Sequence, residues 1–391
     1  MRRKHAGCRW GALCFTALLL AAFPACGQTP NPVGLVLDQE IAALDLEALT
    51  SFLDRLDGET QALLPRWDLR GWVQRGMPLD PGQLLKKLAA FIGREVVINL
   101  HLLGRLILLA VISGVLVHFQ QAWAGGRIGD LVANIVYLVL MGLAIQSFTA
   151  TVQLAYAALE RVNGFVLAVL PSIFTLLAAA GGITLTTVCH PVVWGGTGVV
   201  LSLVRNLVLP LILLAGTVGL VARLVEGFSV TKLAALARQG AVLLLTFLVT
   251  IFLGVVGLQG VTVATADGLG LQTAQFLTGN LLPVVGGVVA DSLELAAGCS
   301  LLIKNALGAF AALGVILLCA YPALKILVVA FIYRLAAAFV QPLGQDRLAE
   351  SLQEIGKTVT VIFATVTIVG LMFFICLTVL IGLGNLTAVI R

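Results

Sequence analysis

Seven ionisable side chains, Arg205, Asp267, Asp291, Glu294, Lys304, Lys325 and Arg334, stand in or beside stretches of sequence that are otherwise apolar. An ionised group in hydrocarbon is costly, so each requires an oppositely charged or polar partner, a water-lined lumen, or a place at the membrane surface. Arg205 and Lys325 lie near Pro210 and Pro322, where a helix is expected to kink or break. A wet path could explain this pair, and so could a membrane boundary crossing the middle of each run. Segment 265–283 (TADGLGLQTAQFLTGNLLP) adds Asn280 and Pro283 to Asp267 and is more polar than its surroundings. It is expected to re-enter the membrane against other helices, because non-helical backbone at that depth is tolerated only when buried in protein or lining a cavity. The candidate lumen or packing positions are therefore Arg205, Pro210, Asp267, Asn280, Pro283, Asp291, Glu294, Lys304 and Lys325.

No catalytic signature accompanies them. The chain has no GxxxxGK[ST], HExxH or GxSxG motif, and its four histidines are far apart in sequence. The run GGTG at 195–198 sits in apolar sequence with no lysine after it, and reads as close helix packing. Cys189, Cys299, Cys319 and Cys376 are scattered without metal-ligand spacing and read as small core residues. No catalytic, cofactor-binding or metal-ligating residue is assigned, no cofactor is expected, and the chain reads as a non-enzyme. The net charge of +5 is dispersed, which gives no footprint for nucleic acid.

The elements that must position these groups are transmembrane helices. Hydrophobic residues make up 60% of the chain and charged residues 11%, against about 25% charged in a soluble domain. Apolar runs occupy 102–119, 131–150, 164–180, 192–222, 240–264, 306–340 and 358–384. None alternates strictly as a barrel strand does, and a hydrocarbon core of about 30 Å takes roughly 20 helical residues. The fold class is an all-α polytopic membrane protein with about eight transmembrane helices, in a range of six to ten. Runs 192–222 and 306–340 exceed one upright span, and each contains a proline.

Residues 1–27 read as a signal peptide: Arg2, Arg3, Lys4 and Arg9, then an apolar stretch, then Ala25-Cys26-Gly27. A lipoprotein signal and an uncleaved anchor are the alternatives. Residues 28–95 read as a small extracytoplasmic polar helical domain, rich in proline and holding ten of the nineteen acidic residues. Within it, 35–56 places Leu37, Ile41, Leu44, Ala48, Phe52 and Leu56 at three- and four-residue steps, as one amphipathic helix with an acidic face. That face is either solvated or docks another extracytoplasmic protein.

Residues 96–391 form the polytopic membrane domain. Pro171 and Pro283 stand 112 positions apart, as do Pro210 and Pro322, which suggests an internal duplication of 131–226 and 243–338. Arg127 and the basic stretch 223–238 both favour the cytoplasm. Placing both there takes an even number of crossings between them, met if 164–180 is re-entrant or if 192–222 is a hairpin of two short spans. Otherwise the second stretch lies outside and the units are inverted.

Several longer motifs carry a resemblance. They are FVLAVLP at 165–171, HPV at 190–192, NLVLPL at 206–211, DGLGLQTAQFLTGNLLPVV at 267–285, LLIKN at 301–305, YPALK at 321–325, YRLAAA at 333–338 and QPLG at 341–344. Together they resemble the stage III sporulation protein AE family over essentially the whole chain. Gln272 and Gln275 depart from the basic residues expected there, against an anion-contact role for that loop. The resemblance implies a membrane subunit of the sporulation channel, a secretion-like complex linking mother cell and forespore and needed for forespore development. It implies a multi-pass location in the mother-cell membrane surrounding the forespore. The implied partners are other stage III A sporulation proteins, including a cytoplasmic ATPase, and indirectly the forespore protein stage II Q. The alternative from the residues alone is a self-sufficient secondary transporter of a small solute.

Overall fold

A computed structural model describes residues 32–44, 46–56, 58–61, 68–75, 81–123, 127–222, 231–281 and 286–389. The expected signal peptide lies outside them. Four short helices come first: α1 (Pro32–Ala43), α2 (Glu47–Asp54), α3 (Gly58–Gln61) and α4 (Leu69–Arg75). The long helices follow: α5 (Pro81–Trp123), α6 (Arg127–Ala179), α7 (Ile183–Leu203), α8 (Leu209–Val221), α9 (Thr231–Leu281), α10 (Gly286–Val340) and α11 (Asp346–Val389). Among the described residues there is no strand.

The amphipathic segment 35–56 is not one helix, as the periodicity suggests, but two. The break lets α1 pack on α10 while α2 packs on α6, two surfaces that one straight helix could not follow. Leu37 and Leu49 are buried by these contacts, and Phe52 meets Phe165 with ring centres 5.7 Å apart. Asp68 caps α4, accepting a bond of 2.9 Å from the Gly71 amide and satisfying one of the donors that a helix start leaves open. Trp72 of α4 then stacks on Phe310 of α10 at 4.9 Å.

Among the described residues, six stretches are long and apolar enough to cross a membrane: Leu85–Ile112, Tyr137–Ala179, Ile183–Val221, Thr231–Gly260, Leu295–Leu343 and Asp346–Asn385. The count is the lower end of the expected range, for two reasons. The apolar runs 131–150 and 164–180 are ends of the single helix α6, which continues through Pro171. Run 192–222 is likewise neither broken nor folded into a hairpin, because a π-helical turn, Val204–Val208, carries the backbone from α7 into α8 at Pro210. Membrane helices tolerate proline where such local adjustments and neighbouring side chains satisfy the freed groups. Helix α10 also continues through Pro322, without a π turn.

This merging resolves the parity. Arg127, at the start of α6, and Lys232 and Arg238, at the start of α9, are separated by α6 and by the continuous α7–α8, so both helix starts lie at one end of the bundle without a re-entrant segment or a hairpin. Helices α6 and α9 consequently run in the same direction. Segment 265–281 also departs from expectation: its backbone continues α9 as helix to Leu281, rather than forming a non-helical re-entrant loop.

Helix α10 is the axis, with α11, α6 and α5 packed around it, while α9 rests mainly on α11, α8 and α7. The α10–α11 turn is closed by Gly344 at φ 72°, the left-handed region where a side chain would be strained. Contacts between helices give two levels. At one, the Tyr333 hydroxyl of α10 donates to the Ala144 carbonyl of α6 at 3.2 Å, and the adjacent Arg334 donates to Thr360 of α11 at 3.0 Å. At the other, Phe310 meets Trp72 and, at 6.1 Å, Phe165 of α6. From Arg334 to Phe310 is about 36 Å of helix, and from Ala144 to Phe165 about 31 Å. Both are close to the thickness of a hydrocarbon core, about 30 Å.

Candidate intramembrane polar sites

The most elaborate site is built around the π turn. In that turn the Leu209 amide bonds the Val204 carbonyl, five residues back. The next amide would bond Arg205, but residue 210 is proline and has none. The Arg205 carbonyl accepts instead from the Tyr156 hydroxyl of α6 at 3.3 Å. A buried carbonyl without a donor costs about 1–3 kcal/mol, and the Tyr156 hydroxyl supplies this one with a donor. The Arg205 guanidinium turns back over the Tyr156 ring, 5.8 Å from its centre, and pairs with Glu160 one turn along α6. Both charged side chains are half-exposed, at 53% and 54%. Asn206 bonds Ser202 at 3.2 Å, and Tyr156, Arg205, Asn206 and Pro210 line a cleft of about 370 Å³.

Lys325 sits in a second, more enclosed site on α10. Its ammonium is 3.7 Å from Glu95 of α5 and 5.0 Å above the ring of Tyr321. Phe91 of α5 closes over Tyr321 at 4.3 Å. Glu95 is buried, and its carbonyl accepts from Asn99 at 2.8 Å. Arg205 and Lys325 thus have separate partners on separate helices, and the structure does not bring them into one site.

Lys304 is fully buried and serves a different purpose. Its ammonium donates to the Ile381 carbonyl at 2.9 Å and to the Asn385 side-chain oxygen at 3.0 Å. It therefore reaches across to the C-terminal part of α11, where one backbone oxygen and one side-chain oxygen satisfy it. Six residues further from Arg334 than Phe310, it lies about 9 Å beyond the Trp72 level. One turn beyond Lys304, Ser300 of α10 donates to Glu40 of α1 at 2.8 Å. Burial pushes the Glu40 carboxyl above its usual range, and the Ser300 bond partly offsets this.

At the opposite end, Arg238 of α9 pairs with Glu354 of α11, and Lys357 approaches the same carboxylate at 3.7 Å. Nearby, Arg334, Gln341, Asp346, Glu350, Gln353 and Lys357 line a polar cavity of about 480 Å³. Of the other candidates, Asp267 and Asn280 lie on the helical backbone of α9, and Asp291 and Glu294 on the first turns of α10; their side chains are outside the described residues. Pro283 also lies outside them. The expectation that the four cysteines from Cys189 onward are core residues holds, since all four are buried. Gly196 is in close contact with Phe252 of α9, while Gly195 and Gly198 face open space. Among the described residues no cluster of His, Cys, Asp and Glu is suited to a metal.

Sequence reasoning passed over Glu95, Tyr156, Glu160, Arg238 and Glu354. Glu95 had been placed at the edge of the polar domain, and Glu160 in the polar interval between two supposed spans. The missed signal is that Arg205, Lys325 and Arg238 each meet an acid on a neighbouring helix, whereas Lys304 meets only neutral oxygens.

The family model for stage III sporulation protein AE matches residues 69–384. The chain belongs to the stage III sporulation protein AE family. It is 37% identical over 357 residues to the stage III sporulation protein AE of Bacillus subtilis (strain 168), covering 90% of each chain. No solved structure matches. The family match covers α4 to α11, including every ion pair described between the long helices, so those pairs belong to the part of the chain that the family model describes.

Proposed function

We propose that this family member is a non-enzymatic, multi-pass subunit of the sporulation channel complex, a secretion-like assembly linking mother cell and forespore, in the mother-cell membrane surrounding the forespore. The carrying observation is the family match over α4 to α11 together with polar sites set into apolar helices. In this reading the helices are a scaffold whose charges are pre-paired, so that the chain can be inserted and then assembled with partners. Those partners are other stage III A proteins, including a cytoplasmic ATPase at the basic end of the bundle. At the other end the α1–α4 domain reaches towards the forespore, indirectly to stage II Q. The 112-residue offset is proposed as a duplication whose units, α6 with α7–α8 and α9 with α10, run in parallel.

The test is complementation. Expressed in a Bacillus subtilis strain lacking its own stage III AE protein, the chain should restore heat-resistant spores, and only with the other stage III A proteins present. A chain that inserts stably and restores none would overturn the reading. The transporter alternative draws on the half-exposed Arg205–Glu160 pair and its cleft. It requires the purified chain alone, in liposomes, to move a solute down an ion gradient.

A further inference from the structure

Along α6, Gln146, Ala150, Gln153, Ala157 and Glu160 recur at four- and three-residue steps, with Thr149 and Tyr156 beside them. This spacing keeps them on one helix face. Gln146, Thr149, Ala150, Gln153 and Glu160 are exposed, and Tyr156 and Ala157 half-exposed. The stripe falls entirely between Ala144 and Phe165, the α6 residues at the two contact levels already described. It therefore runs for about 21 Å inside an interval of about 31 Å that matches the hydrocarbon core.

Lipid cannot satisfy such a surface. Two carboxamides and an ion pair facing acyl chains would forgo hydrogen bonds that nothing in hydrocarbon replaces. Among the described residues, Arg205 meets the Tyr156–Glu160 end of the stripe, and Gln146, Thr149, Ala150 and Gln153 stay exposed. The alternation of small residues with amides is the composition of a packed membrane helix pair, in which alanines let two backbones approach and glutamines bond across the seam. The face also carries both signs of charge, Glu160 paired with Arg205 and the exposed Arg161 beside them, and each carboxamide both donates and accepts. A surface with both signs of charge and two-way hydrogen-bonding groups is complementary to itself, as a two-fold symmetric contact demands.

We propose that the stripe of α6, flanked by Arg205, is the contact face for a second copy of this chain inside the membrane. The inference deepens the reading as a subunit of a membrane assembly and rests on it. It adds that the assembly contains at least two copies of this chain, joined through Gln146, Gln153 and the Arg205–Glu160 pair.

The experiment is cross-linking of the full chain in membranes. Gln153→Cys is made singly, with Leu243→Cys, on the exposed apolar face of α9, as the control. Under an oxidant or a short bismaleimide, Gln153→Cys should give a species of twice 41.0 kDa, at least ten-fold more abundant than from Leu243→Cys. A yield no higher than the control would overturn the proposal. So would a product whose mass shows a different protein, or rapid labelling by a membrane-impermeant maleimide without cross-linking, the signature of a water-filled wall. A second measurement guards against a local artefact: Gln146→Leu with Gln153→Leu should insert normally and lose at least ten-fold in energy transfer between two labelled copies. Unchanged transfer would count equally against it. Complementation distinguishes the two readings, because a chain that dimerises but restores no spores sinks the function alone, and one that restores spores without Gln153 cross-links sinks the interface alone.

Discussion

Helices α6 and α9 cross the bundle in the same direction and over the same depth, yet they show the outside opposite chemistry. The exposed face of α9 carries Leu243, Phe247, Ile251, Val255 and Leu258, with Leu243 75% and Leu258 76% exposed. Over the corresponding stretch, α6 exposes Gln146, Thr149, Gln153 and Glu160. The first surface is what lipid requires, and the second is what lipid rejects. Mean hydropathy hides the difference, since the spans on both helices pass as transmembrane. The lesson is that in a polytopic chain the informative quantity is the polarity of each exposed face, not of each helix.

The largest effect expected from breaking this contrast comes from charge. Phe247→Arg puts a cation on the lipid face of α9 and should cost on the order of 2.5–3.5 kcal/mol of insertion free energy. Gln153→Arg, at similar depth on α6, should insert nearly as the parent does. A glycosylation-reporter or protease-protection assay of inserted fraction compares the two, and equal losses would erase the distinction between the faces.

A smaller effect sharpens the polar side. Glu160→Leu leaves Arg205 without its carboxylate and should lower the midpoint of thermal unfolding in detergent. Adding Arg205→Leu should recover part of the loss, because polar pairs in membranes are worth about 1 kcal/mol while an unpaired charge costs more. A double variant less stable than Glu160→Leu alone would contradict the pairing.

The π turn offers a cycle of similar or lesser size. Tyr156→Phe removes the donor to the Arg205 carbonyl and should cost about 1 kcal/mol. In a Pro210→Ala background the restored amide can take over, so the same change should cost markedly less. Equal costs in both backgrounds would mean that the hydroxyl and the proline are uncoupled.

The smallest effect lies where α1 packs on α10. The Glu40 carboxyl is raised by burial against α10, so its ionised form opposes docking of α1. The contribution is full below the ordinary carboxylate range and is lost as pH rises through the raised value. Amide exchange in α1 should slow as pH falls through that window, after correction for intrinsic rates, and Glu40→Gln should remove the dependence. An unchanged profile in Glu40→Gln would show that another group titrates.

Much was legible in the residues taken alone. Apolar runs of spanning length, with no water to satisfy peptide groups, dictate helices, and a charged residue inside such a run demands a partner. Arg205, Lys304 and Lys325 could therefore be singled out before any coordinates, as could the basic end of the bundle. Composition could not decide where one helix stops. Runs 131–150 and 164–180 look like two spans because 151–163 is polar, and only packing against α7 and α10 reveals one helix with a polar waist. Nor could spacing name the partners, since Glu95 and Lys325 meet across 230 positions, and Tyr156 reaches the carbonyl that Pro210 leaves open only because α6 and α7 lie side by side. Hydrophobicity is a property of each residue and is written locally. Ion pairing and burial are properties of pairs distant in the chain, and they come into being when the helices pack.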